Sequence, residues 1–236
     1  MTLPENLRTL HAHEEVLRRR AAALVAANSR LALHLHVIAR AMNLSDLLRQ
    51  YPTKDEGRKV VQALGMRVFT AFCAGISLAF SGYGQNSALV LRDIVETTNL
   101  LDLFSGDGEA VERFRFAETK AELREFSPVK VRIALDRRDG RHDQRREAQY
   151  KMLSELAAHP TMKSGLLMRA RKDGDLEAGP FVEPEFLEAV LCEMARVAVL
   201  GGEVLDRFLP EAWEGVLAAR AAFSEVRRAW LASYPP

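Results

Sequence analysis

One stretch, Ser87–Phe104 (SALVLRDIVETTNLLDLF), constrains the fold most, because it is apolar on almost every side of the helix that it would form. A helix of that kind is surrounded by other elements. Arg92, Glu96 and Asn99 interrupt it, and their i, i+4, i+7 spacing places them on one stripe. Because a buried charge needs a partner, the stripe is either a structural ion pair or an anion site held in shape by Glu96. Both interpretations are open from the residues alone.

The N-terminal part of the chain predicts one long helix, from about Glu5 to Met42. A leucine or isoleucine recurs in it every seven residues, at Leu10, Leu17, Leu24, Leu31 and Ile38. Such a stripe is typical of a coiled-coil-like seam. The seam would pack either inside the chain's own bundle or between two copies, and the second alternative predicts a homodimer.

Helical periodicity and capping signals continue to about Pro160 and resume at Pro184. Between them, two short extended runs flank an Asp-Gly turn, and this pattern predicts a small β-hairpin near residues 166–182. We therefore expect an all-α, multi-helix up-and-down bundle that forms one domain over residues 1–236. The core bundle would span about 5–160, the hairpin about 164–182 and a closing helix pair about 184–232.

Composition narrows the class of protein. The formal net charge is +1, so no global basic field indicates nucleic acid or an acidic partner. Cys73 and Cys192 lie in apolar helical contexts, which fits a reducing compartment. The N-terminus lacks the apolar core of a signal peptide, and no run of 18 uncharged apolar residues is present, so we expect a cytoplasmic protein without a membrane partner.

The pairs His11/His13 and His34/His36 diverge on a helix, so we expect solvated histidines, no metal and no cofactor.

A second polar group lies at the predicted end of a helix, in YKMLSELAAHP. Tyr150 and Ser154 are spaced i, i+4, as are Glu155 and His159. His159 would lie at a helix C-terminus, where the helix dipole raises the pKa of an imidazole. It either caps the last carbonyls and pairs with Glu155, or acts as a general acid or base with Tyr150 or Ser154 in the same pocket.

A basic segment, Lys130–Lys151, precedes and overlaps this group. Its aromatic content is limited to Tyr150, so stacking on single-stranded nucleic acid is not indicated. The segment is either a solvated helix face with i, i+4 ion pairs or a surface that contacts a phosphate backbone. The residues of the second alternative are Arg137, Arg138, Arg141, Arg145 and Arg146.

Together, ALVLRDIVETTNLLDLF and YKMLSELAAHPT resemble a bacterial helical family of unknown function. That family shows an Arg-x-x-x-Glu core helix and a later Tyr-x-x-x-Ser-x-x-x-x-His element, and it is grouped with HEPN-like bundles. The resemblance covers about Ser87–Ser164 and implies that Arg92, Glu96, Tyr150, Ser154 and His159 cluster on facing helices. HEPN ribonucleases use an arginine followed four to six residues later by a histidine. This chain departs from that pattern, because no arginine occurs at 152–154, before His159.

The resemblance implies a HEPN-like cytosolic bundle that binds an anionic ligand, either RNA or a nucleotide. Arg92 would hold phosphate, and Glu96, Asn99, Tyr150 and Ser154 would line the pocket. Metal-independent ribonuclease activity would be an extension, with His159 and Arg92 as catalytic residues. The alternative is a non-catalytic scaffold protein that oligomerises through its long first helix.

Overall fold

The computed structural model describes residues 3–158, 165, 167–169, 175–177 and 179–234. Over these residues the chain is helical, as the sequence predicts. The helices are α1 (Glu5–Ala27), α2 (Ser29–Gln50), α3 (Glu56–Phe80), α4 (Gly84–Gly106), α5 (Gly108–Arg115), α6 (Lys120–Leu123), α7 (Pro128–Arg138), α8 (Arg145–Leu153), α9 (Pro184–Asp206) and α10 (Val216–Ser233). A short 3-10 turn, Arg124–Phe126, precedes α7, and a π-helical turn, Ser154–Ala158, continues α8.

Helix α4 is the centre of the bundle. It packs against α3, α5, α7, α8, the π-helical turn and α9. Leu91, Ile94, Val95 and Leu101 are at most 1% exposed. The largest hydrophobic cluster runs through these side chains to α2, α3 and α9, so the predicted apolar helix does lie inside a shell of other helices.

The prediction of one long first helix is wrong. The chain breaks at Asn28, and α1 and α2 meet at 103°. Asn28 has extended backbone angles, and its side chain accepts hydrogen bonds from the backbone N–H groups of Arg30 (2.9 Å) and Leu31 (3.4 Å). An asparagine cap of this kind satisfies the N–H groups that a continuous helix would bond internally. The seven-residue stripe is therefore divided, and Leu31 and Ile38 are buried in the chain's own core.

The predicted β-hairpin is also wrong: none of the described residues between 165 and 182 is a strand. Leu167 and Met168 are in a 3-10 conformation, and between the described residues of the two predicted arms one backbone bond is present, from Glu177 N–H to the Met168 carbonyl (2.8 Å). A lone hairpin is marginal without a sheet to pair with. Farther along, the Phe181 N–H bonds the Gly82 carbonyl (3.2 Å), so the segment before α9 attaches to the α3–α4 turn.

The closing helices pack back on the core, with α9 against α2 and α4, and α10 against α2. Gly202 allows a close approach of α9 and α10, because a Cβ there would lie 2.2 Å from the Phe223 ring. At Gly201 the nearest atom would be the Thr98 hydroxyl, at 3.5 Å. Of these two adjacent glycines, only Gly202 lies where a side chain would clash.

One helix, α3, is long and apolar enough to cross a membrane, with a mean hydropathy of 1.6 over its best 18-residue window. A third of that window (33%) is buried inside the protein. The bent pair α1 and α2 also passes this test if it is counted as one span. Membrane spans and core helices of soluble bundles share this length and hydropathy.

Candidate functional site

The predicted pair on α4 faces α8. The Arg92 Nε donates a hydrogen bond to Glu96 Oε1 at 2.9 Å, and its Nη2 donates to the Tyr150 hydroxyl at 2.5 Å. The Arg92 and Glu96 side chains are 26% and 29% exposed. The structure thus brings three of the predicted residues together at a half-open position, with Glu96 and Tyr150 fixing the orientation of the guanidinium.

A second guanidinium, which the sequence analysis did not single out, lies on the same tyrosine. The Cζ atom of Arg132 is 4.2 Å from the centre of the Tyr150 ring, and the Cζ atom of Arg92 is 4.7 Å from it. Arg132 is only 7% exposed, yet its Nη1 has no hydrogen-bond partner and no described carboxylate forms an ion pair with it. Glu147, one turn before Tyr150 on α8, bonds Lys151 at 2.7 Å, and Lys151 first, with a smaller contribution from the charge of Arg132, lowers its pKa.

The position of Arg132 follows from the pattern of α7. Pro128, Val131, Arg132 and Leu135 are spaced i, i+3, i+4, i+7, so they share one face of the helix. Val131 and Leu135 are buried on that face, and Arg132 is its one charged member. The signal was present in the sequence but hidden among the other basic residues of Lys130–Lys151.

A cavity of about 260 Å³ opens beside these side chains. Its polar wall includes Glu96, Asn99 and Arg132, and Asn99 is 4% exposed. Arg67 and Asp93 also line it, and they pair with each other at 2.6 Å. Of the charged groups described on this wall, only the Arg132 guanidinium lacks an ion pair. We refer to Arg92, Glu96, Asn99, Arg132 and Tyr150 as the Arg132 pocket.

Two predicted site residues are not joined to the Arg132 pocket by any described hydrogen bond. Ser154 begins the π-helical turn and is 7% exposed, and its Oγ has no hydrogen-bond partner among the described residues. His159, the predicted general acid or base, lies outside the described residues. Among the described side chains of the Arg132 pocket, the two guanidinium groups offer N–H donors, and Glu96 offers a carboxylate acceptor.

The five arginines of the predicted basic surface are divided between two environments. Arg138 and Arg146 are bound in an ion-pair cluster, and Arg145 pairs with Asp143 at 3.0 Å. Arg137 and Arg141 are exposed to solvent. Of the five predicted arginines, Arg137 and Arg141 are therefore the ones for which the described residues provide no ion pair.

That ion-pair cluster is centred on Asp102, which is 4% exposed. Its Oδ1 accepts hydrogen bonds from Arg138 at 3.0 Å and Arg207 at 2.6 Å. Arg146 reaches the other carboxylate oxygen at 3.7 Å and bonds Asp139 at 2.5 Å. Hydrogen bonds from Arg138 and then Arg146 lower the pKa of Asp139 to about 2. Since these charges satisfy one another and join α4, α7, α8 and α9, the cluster stabilises the fold.

Another buried polar group corrects the expectation of solvated histidines. His34 is fully buried on α2, and its Nδ1 accepts a hydrogen bond from the Trp230 Nε1 at 2.9 Å. Burial, with a contribution from the positive charge of Arg30, lowers the pKa of His34 to about 4. The imidazole is therefore neutral at pH 7 and ties α2 to α10.

Comparison with known proteins identifies no relative. No protein-family model, no curated protein and no solved structure matches this chain. Among the described residues, no group of three or more His, Cys, Asp or Glu side chains is placed to hold a metal ion.

Proposed function

We propose that this protein is a HEPN-like helical bundle that binds a phosphate group of RNA or of a nucleotide in the Arg132 pocket. The observation that carries the proposal is the buried guanidinium of Arg132, which lacks an ion-pair partner among the described residues. A buried charge without a counter-ion is costly, and an anionic ligand would supply the missing partner.

The arrangement around Arg132 supports an oxyanion in particular. An arginine presents its N–H donors in a planar fork that matches phosphate oxygens. Arg92 contacts the same tyrosine ring, with its Cζ 4.7 Å from the ring centre, and Glu96 and the Tyr150 hydroxyl fix its orientation before a ligand arrives. Pre-organised donors of this kind lose little conformational entropy on binding.

The size of the cavity favours a small phosphorylated unit. Its volume, about 260 Å³, is close to the lower end of small-molecule sites, which span about 300–1,000 Å³. Asn99 and the paired side chains Arg67 and Asp93 line the same space. A single nucleotide, free or exposed in a single-stranded RNA, suits this volume better than a duplex.

The test is binding of a fluorescently labelled single-stranded RNA, by anisotropy, and of nucleoside monophosphates, by calorimetry. The variants are Arg132→Gln and Arg92→Gln. The control is Arg40→Gln, which removes the same charge from an exposed position on α2. We expect each pocket variant to weaken binding about tenfold or more, because a hydrogen bond to a charged group contributes about 1.5–3 kcal/mol, and the control to bind like the wild type.

A second measurement separates the pocket from the outer arginines. The salt dependence of RNA affinity should become shallower in Arg132→Gln, because one phosphate contact fewer releases one counter-ion fewer. If neither ligand class binds the wild type, or if Arg132→Gln and Arg40→Gln weaken binding equally, the proposed function is refuted.

A further inference from the structure

A second cavity lies on the other side of α8. It has a volume of about 520 Å³ and is enclosed by α4, the end of α8 with the π-helical turn, the described residues 167 and 169, and the first half of α9. We call it the α8–α9 cavity. Its lining is mostly apolar and includes Leu91, Leu153, Leu156, Leu167, Phe186 and Val190. Protein interiors rarely keep apolar voids larger than a water molecule, and ligand sites commonly have this size.

The walls of the cavity are fixed by packing. Leu91 and Leu153 are 1% and 4% exposed and belong to the main hydrophobic core. Phe186 lies directly on Gly84, where a Cβ would come within 2.1 Å of its ring. One edge of the wall is the π-helical turn, an element that occurs frequently at functional sites. The cavity is therefore a formed space rather than a loose contact between helices.

One half-buried charged side chain in this wall, Arg169, has a buried N–H donor without a partner among the described residues. The Nε of Arg169 is buried and has no hydrogen-bond partner among the described residues. The wall also includes Glu185 and Glu193, but Glu185 is exposed and Glu193 pairs with Arg196 at 3.5 Å. Neither glutamate forms an ion pair with Arg169. Because the Arg169 Nε–H is a donor, a ligand that completes this wall must offer a hydrogen-bond acceptor.

We propose that the α8–α9 cavity binds a small amphipathic carboxylate, with its alkyl chain along the leucine-lined walls and its carboxylate on Arg169. An unbranched chain suits walls made of leucine, valine and phenylalanine side chains, because burial of each methylene is favourable without a directional partner. The carboxylate accepts hydrogen bonds from the arginine fork, in the geometry that guanidinium groups favour. This site is separate from the Arg132 pocket and does not depend on it.

The test uses isothermal titration calorimetry with hexanoate, octanoate and decanoate, each below its micellar concentration, and with decanol and decyltrimethylammonium. We expect the affinity to rise about fourfold per added methylene. Arg169→Gln should weaken decanoate about tenfold or more and leave decanol within about twofold, because only the carboxylate needs the guanidinium. Arg40→Gln is the matched charge control.

A cavity-filling variant tests the location. Ala189 lines the cavity from the exposed side of α9, so Ala189→Phe should occupy the space and weaken decanoate and decanol together. If the phenylalanine variant does not fold, Ala189→Leu is used in its place. Arg132→Gln should bind decanoate like the wild type, which distinguishes this site from the phosphate site.

The proposal is overturned if decanoate does not bind, if affinity is independent of chain length, or if decyltrimethylammonium binds as well as decanoate. It is also overturned if Arg169→Gln weakens decanoate and decanol equally, since the carboxylate would then not lie on Arg169.

Discussion

Replacement of Arg132 by methionine should make the protein more stable and weaken ligand binding about tenfold or more. Methionine keeps an unbranched stem of similar length but removes the buried charge and its N–H groups. In the wild type, the buried Nη1 of Arg132 has no hydrogen-bond partner among the described residues, which costs about 1–3 kcal/mol. Against this, the variant loses a cation–π contact with Tyr150, worth about 0.5–2 kcal/mol.

With the middle of each range, the balance favours the variant by about 1 kcal/mol, or about 2–4 °C in Tm for a chain of this length. Urea unfolding followed by circular dichroism would measure the free energy of unfolding without ligand, and anisotropy would measure RNA affinity on the same samples. If the free energy of unfolding rises while the RNA affinity falls, Arg132 serves ligand binding at the expense of stability. If Arg132→Met instead loses about 1 kcal/mol or more, the guanidinium is a structural group and the argument for the Arg132 pocket fails.

Three further predictions concern the scaffold. The folded-state pKa of His34, about 4, is below its unfolded value of about 6.5, so its contribution is complete above about pH 6.5 and is lost as the pH falls towards 4. Unfolding free energies across this range should show about 3 kcal/mol of pH dependence that His34→Gln lacks. Asp102→Asn removes the buried carboxylate that pairs with the partly exposed Arg138 and Arg207 and should cost about 1–3 kcal/mol in urea unfolding, whereas Asp143→Asn, at an exposed pair, should stay within about 0.5 kcal/mol. Gly202→Ala should cost about 1–3 kcal/mol because of its clash with a phenylalanine ring, and Gly201→Ala should be neutral or stabilising by up to about 1 kcal/mol in the same assay.

The sequence predicted those features that one helix can encode by itself. The apolar surface of Ser87–Phe104 required surrounding helices, and α4 has them. The i, i+4 spacing of Arg92 and Glu96 placed their side chains within reach, and they bond at 2.9 Å. Capping is another such feature: at the start of α6, Thr119 and Glu122, three residues apart, form a capping box. Local spacing and local hydrogen bonds are sufficient for such predictions.

The features that the sequence did not predict depend on contacts between distant segments. Asn28 is a tolerable residue inside a helix, and the direction of α2 after this cap lets it pack against α9 and α10, which are distant in sequence. Leu167 resembled part of a strand, but it lines a cavity between helices. His34 differs from the exposed His36 by two residues, and its burial comes from α10, almost 200 residues later. Arg132 on α7 contacts the Tyr150 ring on α8, and the spacing of residues within α7 does not predict that contact.

The break at Asn28 has a consequence for the way in which the protein opens. Only Leu17 and Ala21 of α1 are buried, and several attachments of this helix are polar, including Arg18 to Ser81 (2.9 Å) and Arg20 to Glu183 (2.9 Å). A helix with little buried apolar surface separates from the rest at a fraction of the global free energy of unfolding. The amide protons of α1 should therefore exchange with solvent far sooner than those of α4, as a cooperative unit that ends at the asparagine cap, while the remainder of the bundle stays closed.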